Sequence, residues 1–194
     1  MAVAGACAAL ALGGCDKFFA PSKGPFTGVD ITGGEMGGRL ELTDPDGKSR
    51  SIGDFRGKVV VVVFGFTHCP DVCPTTLSEI AFAVKQLGER GRDVQVLFVT
   101  LDPRRDTAEL MRQYVAAFDA GFIGLRGDAQ ATAKVTKDFH VYASERAGKT
   151  PDTYTIDHSA QSFVLDREGR MRLLLPPGTP AAAIASDLRV LLNS

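Results

Sequence analysis

Residues 58–66 read KVVVVVFGF, and five consecutive valines without polar alternation demand a strand covered on both faces. A second such strand is VQVLFVT at Val94–Thr100. Strands of this kind need helices on both sides of their sheet, which points to an α/β class. The helices are legible between and after them. Leu77, Ile80, Ala81, Val84 and Leu87 share one helical face. Asp106-Thr107-Ala108-Glu109 is a capping-box pattern, opening a helix that bears Leu110, Tyr114, Val115 and Phe118. A third helix is predicted over residues 129–138. A fourth has Thr179 as cap and Pro180 as first helical residue, and buries Ile184, Leu188 and Leu191.

Two hairpins complete the pattern. Leu40 and Leu42 alternate with polar residues before the turn Pro45-Asp46-Gly47. Residues 161–166 and 171–175 flank Arg167-Glu168-Gly169-Arg170. A strand–helix–strand unit implies a parallel crossover. The closing hairpin makes the sheet mixed, with an antiparallel edge. The stretch before residue 161 reads as irregular.

Length fits one domain. Twenty-two basic and 23 acidic residues leave a charge of −1, which excludes a general polyanion binder and predicts no nucleic-acid partner. No apolar run reaches the roughly 18 residues of a spanning helix. Residues 1–14 are small and apolar, like the core of an export signal, and end at Leu12-Gly13-Gly14-Cys15. That ending resembles the lipobox of bacterial lipoproteins, in which the Cys is lipidated and becomes the new N-terminus. An ordinary signal or a truncated membrane anchor is the alternative. The expected organisation is an export signal and lipobox over residues 1–15, a flexible tether over 16–38 and one folded domain over 39–194. The domain then sits on the periplasmic side of a bacterial cytoplasmic membrane, anchored there through Cys15.

Removal of Cys7 with the signal, and use of Cys15 as anchor, leave Cys69 and Cys73 as the thiols of the folded domain. They lie in Gly65-Phe66-Thr67-His68-Cys69-Pro70-Asp71-Val72-Cys73-Pro74, after a buried strand and before a helix. Pro74 suits a first helical position, which puts Cys73 near the cap, where free amides favour its thiolate. Such a loop can converge both sulfurs, for a disulfide or for one soft metal ion. His158 precedes the strand at Gln161, and that strand should neighbour the valine-rich one, which brings His158 to the thiols. His68 should point elsewhere from its loop. His140, between Phe139 and Val141, reads as a packing or surface residue.

With these residues in hand the chain resembles the Sco/SenC family of exported copper proteins, which includes PrrC-type members. The resemblance is carried by Asp30-Ile31-Thr32-Gly33, Phe55-Arg56-Gly57-Lys58, the segment from Phe66 to Pro74, Leu101-Asp102-Pro103-Arg104-Arg105-Asp106-Thr107 and Asp157-His158-Ser159, in family order over about residues 26–193. It implies a thioredoxin-like, peroxiredoxin-like mixed sheet flanked by helices, with an N-terminal hairpin. It implies one copper ion, Cu(I) or Cu(II), held by Cys69, Cys73 and His158. The implied partners are the copper-site subunit of cytochrome c oxidase or another copper acceptor, a thiol reductant protein, and a membrane through the N-terminal anchor. Asp102 and Asp106 have family counterparts, as loop and helix caps or as supports of the metal ligands. Two thiolates and an imidazole suit Cu(I), and the same set can hold Cu(II).

The competing function is a thiol-disulfide reductase with Cys69 and Cys73 as catalytic residues. Ordinary thioredoxins use CxxC and a cis-proline before the strand facing the site. Here the spacing is CxxxC, the nearest upstream proline is Pro151, and a histidine stands where that proline is expected. This favours a metal over general disulfide exchange.

Overall fold

The computed structural model describes residues 24–34, 39–148 and 153–194. The Leu12–Cys15 pattern, Cys7 and Pro151 lie outside them. The strands are β1 (Val29–Asp30), β2 (Glu41–Thr43), β3 (Ser49–Ser51), β4 (Val59–Gly65), β5 (Val94–Thr100), β6 (Ile123–Leu125), β7 (Ala143–Arg146), β8 (Thr155–His158), β9 (Ser162–Leu165) and β10 (Met171–Leu175). The helices are α1 (Val72–Gln86), α2 (Ala108–Ala116), α3 (Ala129–Asp138) and α4 (Ala181–Leu192).

All seven residues of β4 and all seven of β5 are buried, as their unbroken apolar runs require. They pair in parallel at the centre of a six-stranded sheet ordered β1-β10-β9-β4-β5-β6. Successive side chains leave β4 on opposite faces. Val59, Val61 and Val63 pack with Leu77 and Ile80 of α1 and Leu188 and Leu191 of α4. Val60, Val62 and Phe64 pack with Val135 of α3 and Phe139. Burying each valine contributes about 1.5–3 kcal/mol, so this strand is a stiff base for the loop at its C-terminus. β9 runs antiparallel to β4, β10 to β9 and β1 to β10, which gives the expected antiparallel edge. The predicted N-terminal hairpin is β2–β3. The fold is the expected mixed sheet with helices on both faces.

Four expectations shift. The sheet begins at Val29 rather than at residue 39: β1 pairs with β10, and the buried Asp187 carboxylate of α4 accepts the Thr27 and Gly28 amides at 2.7 and 2.8 Å. Two exposed residues carry no apolar period, so composition alone assigns them to the tether. The supposedly irregular stretch contains the β7–β8 hairpin, whose Ala143–Arg146 strand is exposed throughout and therefore shows no alternation. Helix α1 starts at Val72 with Asp71 as cap, so Cys73 and Pro74 fall inside its first turn, where a missing proline N–H is tolerated. Helix α4 likewise starts one residue later than expected, at Ala181, while the Thr179 hydroxyl donates to the Pro176 carbonyl.

The capping box also resolves differently. Thr107, not Asp106, caps α2 by accepting the Leu110 amide at 3.2 Å, and Glu109 binds Arg112 and Gln113 instead of reaching back. Asp106 is buried and its carboxylate is engaged elsewhere. Among the described residues, no helix is long and apolar enough to cross a membrane.

Candidate metal centre

The chain leaves β4 at Gly65, buries Phe66, and turns with the Cys69 amide donating to the Phe66 carbonyl at 3.1 Å. Helix α1 then carries Cys73 back against the strand end. A Cβ on Gly65 would lie 2.7 Å from Cys73 Sγ and 2.9 Å from the Phe98 ring. The last residue of β4 must therefore lack a side chain for the sulfur to sit there. Cys73 is 2% exposed, whereas Cys69 is half-buried at the mouth, and neither is in a disulfide.

His158 ends β8, and a short turn connects it to β9 beside β4. Its Nε2 is 3.7 Å from Cys73 Sγ. Its Nδ1 lies 2.9 Å from the Ser159 carbonyl. A carbonyl only accepts, so Nδ1 carries a hydrogen and Nε2 is the ring nitrogen that faces the sulfurs. Phe66 packs edge-on against the imidazole at 6.1 Å. The Cys69, Cys73 and His158 donor atoms all lie within 4.8 Å of one another. Cys69 and His158 border a surface cleft of 340 Å³ formed with Phe66, Pro70 and Ile156, and Cys73 lies behind them. Two sulfurs and one imidazole nitrogen form a set suited to a soft metal ion, with one side open to the cleft.

The two thiols are not equivalent. Hydrogen bonding from the Cys73 thiol, opposed by burial and aided by His158 and the Asp71 and Cys73 amides, lowers Cys69 to about 4. The Cys73 amide donates directly to Cys69 Sγ at 3.4 Å. Cys73 is pushed far up, because its proton is shared with Cys69 and its surroundings are dry. The resting pair is thus a Cys69 thiolate and a Cys73 thiol. This corrects the expectation that the helix start favours the Cys73 thiolate: with α1 beginning at Val72, the amide of the first turn reaches Cys69. Burial favours neutral His158, but its bonds to Cys69 and Ser159 and the nearby negative charge raise its pKa overall.

The loop between β5 and α2 braces both halves of the group. Asp106, 0% exposed, accepts from the Thr67 amide at 3.1 Å, the Thr67 hydroxyl at 2.6 Å and the Thr100 hydroxyl at 2.5 Å. It holds the chain two residues before Cys69. Asp102 accepts from the Tyr154 hydroxyl at 2.7 Å and from Arg105 Nε, while Arg105 Nη1 donates to the Tyr154 carbonyl at 2.9 Å. The Arg105 guanidinium also lies over the Tyr154 ring at 3.7 Å. Tyr154 immediately precedes β8, so this cluster holds the arm that carries His158.

His68 bonds Thr67 through Nδ1 at 3.0 Å, is half-exposed, and stays outside the donor group, as expected. His140 is an exposed residue with φ of 51°, at the turn after α3. Sequence reasoning assigned no site role to Gly65, Thr67, Thr100, Arg105 or Tyr154, although Gly65, Thr67 and Arg105 lie within the segments singled out above. Only Gly65 carried a local signal, as a glycine ending a run of large buried residues.

The SCO1/SenC family profile matches residues 29–193. The chain belongs to the SCO1/SenC family. A SCO2-like protein of Rickettsia prowazekii is 37% identical over 137 residues, covering 70% of this chain and 67% of that protein. A mitochondrial SCO2 homologue of Bos taurus is 41% identical over 134 residues, covering 68% of this chain and 50% of the relative, so the chain spans about half of the mitochondrial protein. The solved ScoI of Bradyrhizobium japonicum, described with copper bound, superposes with a TM-score of 0.75 at 38% identity, covering 81% of this chain and 99% of that one. The thioredoxin-like Sco fold is thereby shown for this family member.

Proposed function

We propose that this chain is an exported copper metallochaperone that holds one copper ion, Cu(I) or Cu(II), through Cys69, Cys73 and His158. The observation that carries this is the convergence of two sulfurs and one imidazole within 4.8 Å at the end of a buried strand. Copper binding to the solved Bradyrhizobium relative supports it. Copper is cargo here. Cu(I) arriving at the thiolate–thiol pair gains two thiolates when Cys73 releases its proton to solvent, and the imidazole completes the set through Nε2, which likewise releases its proton to solvent where the ring is charged. On release, a thiolate of the acceptor enters from the cleft side, displaces one sulfur, and the vacated cysteine recovers a proton. The ion keeps its charge throughout. The family resemblance points to the copper-site subunit of cytochrome c oxidase, or another copper acceptor, as the recipient.

The domain works from the periplasmic side of the bacterial cytoplasmic membrane, held through Cys15 and the tether preceding β1. The test is titration of reduced protein with Cu(I), followed by transfer to an acceptor bearing the oxidase copper-site cysteines. Uptake of one equivalent and its passage to the acceptor support the proposal. Uptake unaffected by Cys73→Ser removes it.

The half-exposed Cys69 thiolate favours a second reading, thiol-disulfide reduction. Cys69 attacks a substrate disulfide, and one substrate sulfur leaves and takes a proton. Cys73, losing its own proton, then displaces the second sulfur, so that the substrate gains two electrons and two protons while Cys69 and Cys73 become a disulfide. A reductant protein must return that pair to thiols before copper can bind. Rapid reduction of protein disulfides by the copper-free form, abolished in Cys69→Ser, would select this reading.

A further inference from the structure

We infer that the mouth of the Cys69–Cys73–His158 group faces the membrane to which the chain is anchored, so that its partner is an acceptor whose metal-accepting site lies at the membrane surface. This rests on the N-terminal anchoring of the proposed function and goes beyond it by fixing which end of the domain the anchor holds.

Strand register supplies the polarity. β4 runs toward the thiols and pairs antiparallel with β9, β9 with β10, and β10 with β1. Three successive reversals leave β1 antiparallel to β4, running away from the thiol end. Val29 is level with Leu174, Leu174 with Phe163, and Phe163 with Val62. Three residues upstream of Val29, Phe26 reaches the level of Gly65, against which the Cys73 sulfur packs. The chain therefore enters the domain at the same end of the sheet as the donor group, three strands and about 14 Å to one side.

The entry point is clamped. Asp187, 1% exposed, accepts the amides of both Thr27 and Gly28. A Cβ on Gly28 would come within 3.0 Å of the Leu174 carbonyl, so the segment lies flush against β10. Phe26 packs on the core beneath α1 and α4, the Ile31 amide donates to the Arg172 carbonyl at 2.9 Å, and Arg172 Nε donates to Thr32 at 2.8 Å. The chain is thus fixed to the domain from Phe26 onward.

Length then sets the orientation. Ten residues lie between Cys15 and Phe26, so eleven steps of chain join the two. They span at most about 36–40 Å fully extended. A domain of this size is roughly 40 Å across. With a lipid on Cys15, an arm this short keeps the thiol end within reach of the bilayer, whereas turning that end outward requires the arm to extend along the whole domain. The opposite end of the sheet, where Gly88–Asp93 precedes β5, faces away.

The test imposes the anchor chemically, so that it stands apart from whether cells lipidate Cys15. The isotope-labelled chain from Cys15 onward, acylated at its N-terminus, is bound to nanodiscs containing a gadolinium-chelate lipid, and relaxation of its amides is measured. Enhancement several-fold greater at residues 67–72 and 157–159 than at residues 88–93 is expected, and a long Gly-Ser insertion after Pro25 should erase the gradient. Equal or reversed enhancement in the uninserted chain would overturn the inference. Absence of lipid on the native protein by mass spectrometry would instead remove the lipoprotein reading and leave the measured polarity intact.

Discussion

The sulfur half and the imidazole half of the donor group are built to different standards. Cys69 and Cys73 flank the start of α1, directly behind a seven-residue strand in which every side chain is buried. His158 ends a two-stranded hairpin outside the main sheet, whose partner strand β7 is wholly exposed. Each half has its own carboxylate brace, Asp106 for the sulfurs and Asp102 through Arg105 and Tyr154 for the imidazole. The difference teaches a division of labour. The core fixes the two sulfurs, and a peripheral arm adds the imidazole.

The largest effect should come from breaking the rigid half. Cys73→Ser or Cys69→Ser should lower Cu(I) affinity by more than the ~10–100-fold typical of a lost supporting contact, because one thiolate and one imidazole form a poor cage. Competition with a chromogenic Cu(I) chelator measures this. His158→Ala should instead keep Cu(I) while reshaping the visible and paramagnetic spectra of the Cu(II) form, since two thiolates remain. Unchanged Cu(II) spectra would remove His158 from the ligand set.

The braces sharpen the contrast. Asp106→Asn should weaken Cu(I) binding by roughly 10–100-fold, the range seen for residues that orient ligands. Tyr154→Phe should leave Cu(I) affinity near that of the parent and alter only the Cu(II) spectra. Equal effects of the two substitutions on both oxidation states would mean that the halves are not separately supported.

Legibility in the amino-acid sequence divides along the same line. The valine run, the CxxxC spacing and the α1 face belong to the rigid half, where burial writes a clear pattern into sequence. The peripheral arm leaves little trace, because an exposed Ala-Ser-Glu-Arg strand has no apolar period. His158 is legible through its place before β9, not through its own strand. Asp106 misleads because Asp-Thr-Ala-Glu has local capping chemistry, while a tertiary partner, Thr67 at a separation of 39 residues, takes its carboxylate. The helix-start argument picks the wrong sulfur for a smaller reason: the helix begins at Val72, so its first-turn amide serves Cys69.

That asymmetry gives a pH signature. Cys69 falls from the ordinary 9.0 to about 4 on folding, led by the Cys73 thiol that donates to it. A depressed pKa contributes stability that is complete above the unfolded value and is lost as pH falls through the folded one, here between about 9 and 4. His158, raised, contributes with the opposite sign: fully below its ordinary 6.5, and lost as pH rises through its higher folded pKa. In reduced protein, alkylation of Cys69 should therefore persist at about pH 6 with Cys73 unmodified, as read by peptide mass spectrometry. Preferential alkylation of Cys73 would reverse the assignment.

The smallest expected change is steric. Gly65→Ala sets a methyl against Cys73 Sγ and the Phe98 ring, and overpacking of this kind costs about 1–3 kcal/mol. Denaturant unfolding of the apo protein should show the loss, together with a Cu(I) affinity below that of the parent, because the displaced atom is one of the proposed ligands. Unaltered stability and affinity would mean that the sulfur does not depend on the bare strand end.

The central claim is that one ion is held jointly by the two core-fixed sulfurs and the peripheral imidazole. X-ray absorption at the copper edge of reduced protein loaded with one equivalent of Cu(I) tests it most directly. The predicted spectrum has two sulfur scatterers and one imidazole nitrogen, with the imidazole contribution lost in His158→Ala and the sulfur contribution halved in Cys73→Ser. A first shell of nitrogen and oxygen alone, or one unchanged by either substitution, would contradict the account.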